Sequence, residues 1–216
     1  MAKKMGVSSQ MEPNLSLALG SGQFTPLEMA SAYGVFANLG IYCQPIAITK
    51  VCDRDDNVLE ENNPKAQEVM KSINAAMMCD LLKNALEKGT GYRAKVPGWT
   101  CGGKTGTTND YIDAWFNGIS PNLVTIVQFG YDMPKTLGKG MAGGNVCAPV
   151  WHDFMEKALT KYPKSDFPVP DGGVRCKVCI TTGKLASNSC PKNEIVTQVF
   201  PIESQPLVKC DHYKFV

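Results

Sequence analysis

Histidine is scarce in this 216-residue chain, which has only His152 and His212. One sits beside an apolar helical stripe and the other near the end of the chain, so a Ser-His-Asp arrangement has little to build on. Neither sign of charge is in excess. With 22 Lys and Arg against 20 Asp and Glu the formal net charge is +2, which gives no electrostatic reason to expect nucleic acid or an anionic membrane surface as a partner. No run approaches the roughly 18 apolar residues of a membrane span. The opening MAKKMGVSSQ has no apolar stretch behind its lysines, so no export signal is expected within the chain itself. What remains is ordinary globular material, 44% hydrophobic and 19% charged, enough for one good-sized core or a core with a small appendage. Cysteine is plentiful, with nine in all.

The most informative stretch is Gly98 to Phe116, GWTCGGKTGTTNDYIDAWF. Polar Thr108, Asn109 and Asp110 separate the Lys104-Thr105-Gly106-Thr107 segment from an aromatic run, which reads as strand, turn, strand. In an extended chain Thr105 and Thr107 share a face and Lys104 takes the other. Gly102, Gly103 and Gly106 remove bulk, so that another backbone could lie alongside. A bound carboxylate would take hydroxyl donors from the threonines and charge from Lys104, and the amide of Thr107 could help hold an oxyanion.

The same residues from Gly98 to Thr105 also satisfy G-x-x-x-x-G-K-[ST], the phosphate-binding P-loop. That loop needs a buried strand before its first glycine and a helix after the lysine. GTGYRAKVP before it is a polar loop and Gly-Thr-Thr-Asn-Asp after it opens helices poorly, so nucleotide binding is the weaker reading.

K-T-G-T followed by T-N-D-Y-x-D-A-W-F resembles the third active-site motif, and the strand after it, of the penicillin-binding proteins. LSLALGSGQFTPLEMASAYGVFANLG upstream, and GYD, GGNVCAPVWHDFM and GKLASNSCP downstream, extend the resemblance over nearly the whole chain. They resemble the C-terminal part of a class A, bifunctional enzyme. The resemblance implies an α/β fold of the α+β type, an antiparallel sheet flanked by helices, incomplete at its N-terminus. It implies a peptidoglycan D,D-transpeptidase acting by serine acyl transfer, on the extracytoplasmic face of the cell membrane. The partners would be a D-Ala-D-Ala stem peptide, β-lactams and a complementary N-terminal part of the same domain, with no cofactor and no nucleic acid. Lys104 would join a proton network with absent serines, and Thr105, Gly106 and Thr107 would hold the substrate carboxylate, Thr107 supplying half of an oxyanion hole. A non-catalytic binding or assembly module of the same fold is the alternative.

The nucleophile is not found. Ser189-Cys190-Pro191-Lys192 fits S-x-x-K only on paper, since Pro191 opposes a helix. Ser72-Ile73-Asn74 fits S-x-N inside a helical pattern, and Ser120-Pro121-Asn122 reads as a turn. The chain alone is therefore expected to catalyse nothing.

Along the chain, Thr25-Pro26-Leu27-Glu28 opens a helix with a capping box, its stripe being Met29, Ala30, Tyr33, Phe36 and Ala37. Residues 45–51 and Val58-Leu59 suggest a hairpin closed by a solvated Asp53 to Asn57 turn, which lacks the glycine and glutamate of a calcium loop. A long helix is expected from Pro64 to Lys88 with Ala66, Met70, Ile73, Met77, Leu81 and Ala85 inward. After the lysine strand come strands at Asp113 to Ile119 and Leu123 to Tyr131, the last expected to be buried on both faces. Pro149 is expected to start a helix whose core stripe is Trp151, Phe154, Met155, Ala158 and Leu159.

The organisation expected is a transpeptidase part over 1–161, a linker over 162–173 and a cysteine-containing tail over 174–216. Cys176-x-x-Cys179, Cys190 and Cys210-Asp-His212 could hold zinc through four thiolates, or through three and an imidazole. The implied extracytoplasmic location favours one or two disulfides instead, with Cys190 to Cys210 the preferred closure, although four cysteines allow three pairings.

Overall fold

A computed structural model of the chain describes residues 1–212. Helix α1, Pro26–Ala37, begins where the capping box puts it: the Glu28 amide donates to Thr25 Oγ1 at 3.2 Å and the Thr25 amide to Glu28 Oε2 at 2.8 Å. The Glu28 carboxylate is also the anchor of the preceding segment, accepting from the amides and hydroxyls of Ser8 and Ser9. These bonds, the Thr25 amide foremost, hold its carboxyl far below the usual carboxylate range.

Four short strands follow. β1 (Ile41–Cys43), β2 (Lys50–Cys52), β3 (Val58–Glu61) and β4 (Ala66–Glu68) form two antiparallel pairs, β1 with β4 and β2 with β3. The hairpin is thus shorter than expected, and Ile46 and Ile48 lie outside it, exposed. Asp53 closes its turn by accepting from the amides of Asp55 and Asn57, each at 2.9 Å. The helix expected from Pro64 begins later. Helix α2 spans Ser72–Glu87, because residues 66–68 are drawn into β4 and the amides of Val69 and Met70 bond the Gly40 carbonyl. Its inward face also differs: Ala75, Cys79, Leu82 and Leu86 are buried and Leu81 is exposed.

The central sheet is β5 (Gly102–Thr107), β6 (Ala114–Ile119) and β7 (Val124–Phe129), an antiparallel meander in that order. β6 in the middle is the strand buried on both faces, whereas β7 is, among the described residues, an edge that ends exposed at Gln128 and Phe129. One face packs on α1 and α2 through Cys79, Leu82, Ile119 and Phe167. The other packs on α3, Gly143–Ala158, through Phe116, Cys147, Trp151 and Met155. A Cβ at Gly118 would stand 2.3 Å from the Trp151 ring, so glycine there lets the indole lie on the sheet and donate to the Thr125 carbonyl at 2.9 Å. α3 starts six residues before Pro149, which stands inside it, and Phe154 is exposed while Trp151, Met155 and Leu159 are buried.

Residues 162–173 carry no helix or strand before Gly173, yet Phe167 is buried and its carbonyl accepts from Arg175 at 2.7 Å. β8 (Gly173–Cys179) and β9 (Ile195–Pro201) then form an antiparallel pair against α2. Asp80 makes the joint: its carboxylate accepts from the Val199 amide at 2.8 Å and lies 3.8 Å from Arg175. Burial raises its pKa, and the Arg175 charge and the Val199 amide oppose that rise.

Candidate active-site strand

Thr105 and Thr107 do share a face. The Thr107 hydroxyl oxygen accepts from the Gly143 amide at 3.1 Å and the Thr105 hydroxyl lies 2.8 Å from that of Thr90. Both therefore look toward the N-terminus of α3, which sits directly on the sheet: a Cβ at Gly143 would fall 2.1 Å from the Trp115 carbonyl. Because the Thr107 oxygen accepts from an amide, its own proton is left to be donated elsewhere. Lys104 leaves the strand on the other face, but its exposed side chain curls over the edge, so that Nζ donates to the Thr105 carbonyl at 3.0 Å and lies 3.5 Å from Thr105 Oγ1. Among the described residues no carboxylate is paired with it.

β5 pairs only with β6, so its other side is an open edge among the described residues. Which groups face that edge follows from the ladder. The Thr108 amide donates inward to the Asp113 carbonyl at 3.0 Å, and positions alternate along an antiparallel strand. The amides and carbonyls of Thr107 and Thr105 are therefore turned outward. The strand ends in a tight turn in which Asp110 and Tyr111 both have left-handed φ, 58° and 54°, held from outside by Thr136 and by the Leu137 amide.

The three glycines divide. Cβ atoms at Gly102 and Gly103 would meet Leu82 at 3.0 Å and Phe116 at 2.7 Å, so these two serve packing. Gly106 is less crowded, a Cβ there meeting only the Trp115 side chain, at 3.2 and 3.8 Å. Thr90 and the Gly143 amide are partners of the motif that its sequence does not announce. The P-loop reading fails on geometry, since Lys104 lies within a strand, and a 3-10 turn over Asn109–Tyr111 and then a second strand follow it, with no α-helix opening at the lysine.

Ser120 and Ser189 both sit in turns. Ser120 Oγ accepts from the amides of Asn122 and Leu123 in the β6–β7 turn, and Ser189 precedes Pro191, the cap of a short 3-10 turn. His152 Nδ1 lies 2.9 Å from the Lys95 carbonyl.

Residues 4–156 match the penicillin binding protein transpeptidase domain. The chain belongs to this family. Residues 169–215 match the penicillin-binding protein 1A C-terminal domain. Penicillin-binding protein 1A of Aquifex aeolicus is 40% identical over 210 residues, 97% of this chain and 28% of that protein. The Neisseria meningitidis penicillin-binding protein 1A is 39% identical over 173 residues, 77% of the chain and 22% of the protein. Thus the chain spans about a quarter of the length of these curated relatives. Among solved structures, Haemophilus influenzae penicillin-binding protein 1A aligns with a TM-score of 0.83 at 29% identity, over 96% of this chain and 36% of that one. PonA1 of Mycobacterium tuberculosis, solved in complex with penicillin V, aligns with a TM-score of 0.67 at 26% identity, over 78% and 51%. The mixed fold of antiparallel sheets and helices is that of penicillin-binding transpeptidase domains. No helix among the described residues is long and apolar enough to cross a membrane.

Proposed function

We propose that this chain supplies the substrate-binding strand of a peptidoglycan D,D-transpeptidase, with the nucleophilic serine provided by a complementary N-terminal part of the same domain. The observation that carries this is the outer edge of β5, where an outward Thr107 amide, two hydroxyls on one face and a lysine without a carboxylate partner stand side by side.

A stem peptide ending in D-Ala-D-Ala offers that edge a backbone and a terminal carboxylate. The backbone suits strand addition. The carboxylate accepts hydrogen bonds from the Thr105 and Thr107 hydroxyls and is favoured by the Lys104 charge and by the N-terminus of α3, whose first amide already touches Thr107. The serine oxygen attacks the penultimate carbonyl carbon, the C–N bond breaks, and the terminal D-alanine leaves with a proton on its nitrogen. An amine of a neighbouring stem then displaces the serine from the ester. In both steps the carbonyl oxygen becomes negative, and the Thr107 amide, with the nucleophile's own amide, stabilises it. Lys104 belongs to the hydrogen-bond network that moves the serine proton. A β-lactam carries the same carboxylate and a strained amide, and penicillin V bound to PonA1 is consistent with its use here. The reaction places this part of the protein on the outer face of the cell membrane, where peptidoglycan is built.

Fluorescent penicillin tests the division of labour. The isolated 216-residue chain stays unlabelled, and a protein that joins it to the serine-bearing part is labelled. In that joined protein Lys104→Ala slows acylation by about 10²- to 10⁴-fold, the span of a lost acid-base group. Covalent labelling of the isolated chain, or unchanged acylation in Lys104→Ala, refutes the reading.

A further inference from the structure

Three cysteines of the C-terminal lobe converge. The Sγ atoms of Cys179, Cys190 and Cys210 lie within 4.8 Å of one another and all three residues are buried. They come from separate segments: the end of β8, the turn closed by the Cys190 amide on the Ser187 carbonyl, and a stretch whose Cys210 amide bonds the Leu185 carbonyl at 2.7 Å. With Ile195 they form the interior of this part of the lobe, which has little other apolar filling. Three is an awkward number for disulfides, since any pair leaves the third thiol unmatched. Cys176 does not complete the count. It lies three residues before Cys179 on the same strand, so the two face opposite ways, and its Sγ reaches Gln205 Oε1 at 3.7 Å.

Each sulfur also has an N–H aimed at it. Cys179 accepts from the amides of Thr181 and Thr182 and from the Thr182 hydroxyl. Cys190 accepts from the Ser187 amide at 3.4 Å, and Cys210 from the His212 amide. Outer hydrogen bonds of this kind orient the ligands of a metal.

We propose that Cys179, Cys190, Cys210 and His212 hold a zinc ion in a closed, structural Cys3His site. The His212 amide donates to the Cys210 sulfur, so this residue stands beside the cluster, and its imidazole is the fourth ligand of the tetrahedral site. Each thiol gives its proton to solvent as it binds the ion, and no electrons move. The metal then takes the place of an apolar core and supplies folding free energy to a lobe too small to provide it alone.

The chain is purified without reducing agent or added metal, and its zinc content and intact mass are measured. One zinc per chain is expected, with the mass after acid release of the metal equal to that of fully reduced cysteines. Cobalt(II) substituted for zinc gives the visible bands of a tetrahedral site and thiolate charge transfer. Those spectra persist in Cys176→Ser and vanish in Cys190→Ser. In His212→Ala they shift and binding weakens by roughly tenfold or more, and His212→Cys restores tight binding. If Cys190→Ser does not fold, the zinc content and cobalt spectrum of the unaltered chain decide. A metal-free chain lacking two hydrogens contains a disulfide and overturns the proposal, as do cobalt spectra indifferent to Cys190 or lost with Cys176.

Discussion

Replacing Thr107 by proline separates two properties that ordinary substitutions confuse. Proline removes the backbone N–H, and an edge strand tolerates it only where that N–H faces away from the ladder. The inward Thr108 amide, 3.0 Å from the Asp113 carbonyl, makes Thr107 such a position. The fold is therefore expected to lose mainly the hydroxyl bond to the Gly143 amide, worth about 0.5–1.5 kcal/mol. Thr107→Val, which keeps the amide and loses the same bond, is the control for that loss. Catalysis fares differently. Loss of one oxyanion donor removes about 3–4 kcal/mol of transition-state stabilisation, or about 10²- to 10³-fold in rate. In the protein joined to its serine-bearing part, Thr107→Pro should thus acylate with penicillin some 10²- to 10³-fold more slowly than Thr107→Val, at similar thermal stability. If the proline variant unfolds while the valine variant stands, the amide lies in the ladder and the outward edge is wrong. If both fold and acylate alike, the amide is no oxyanion donor.

Other outcomes follow from the packing. Gly118→Ala drives a methyl into the Trp151 ring, 2.3 Å from the nearest ring atom, and should lower stability by about 1–3 kcal/mol in a denaturant titration. Leu86→Ala, in the core shared by α2 and α3, should cost about 2–5 kcal/mol. Glu28 has a carboxyl held far below its unfolded value of 4.5, so the stability it contributes is present above that value and declines as pH falls below it, while the unfolded chain takes up the proton first. Glu28→Gln should flatten the acid limb of the stability profile, and an unchanged limb would contradict this anchor. Burial pushes the Cys79 and Cys101 thiols up to about 12 and Cys147 up to about 11. A maleimide at neutral pH should therefore modify exposed Cys43 and Cys52 while sparing those three until the chain is unfolded.

The sequence made the lysine strand legible because alternation and turn chemistry are local. Thr105 and Thr107 fall on one face by the pleat alone, and Thr25 and Glu28 cap a helix through atoms three residues apart. Long-range pairing is what misled. Residues 66–68 read as the first turn of a helix until β1 claims them, and with that turn removed the inward stripe of α2 moves from Leu81 to Leu82. β7 has the composition of a doubly buried strand, but position within the sheet decides burial and β6 holds the centre. The tail shows the same limit: Cys176 and Cys179 look like a ligand pair in sequence, and a strand turns them apart. Partners such as Thr90 and the Gly143 amide come from distant loops, and apart from the paired glycines at 143 and 144 nothing in their neighbourhood announces them.

The most direct measurement is a crystal structure of the complete transpeptidase domain acylated by a penicillin. The drug's carboxylate should rest on the hydroxyls of Thr105 and Thr107, and its acyl oxygen should accept from the Thr107 amide at the outer edge of β5. A drug bound away from that edge, with those hydroxyls and that amide facing solvent, would contradict the assignment.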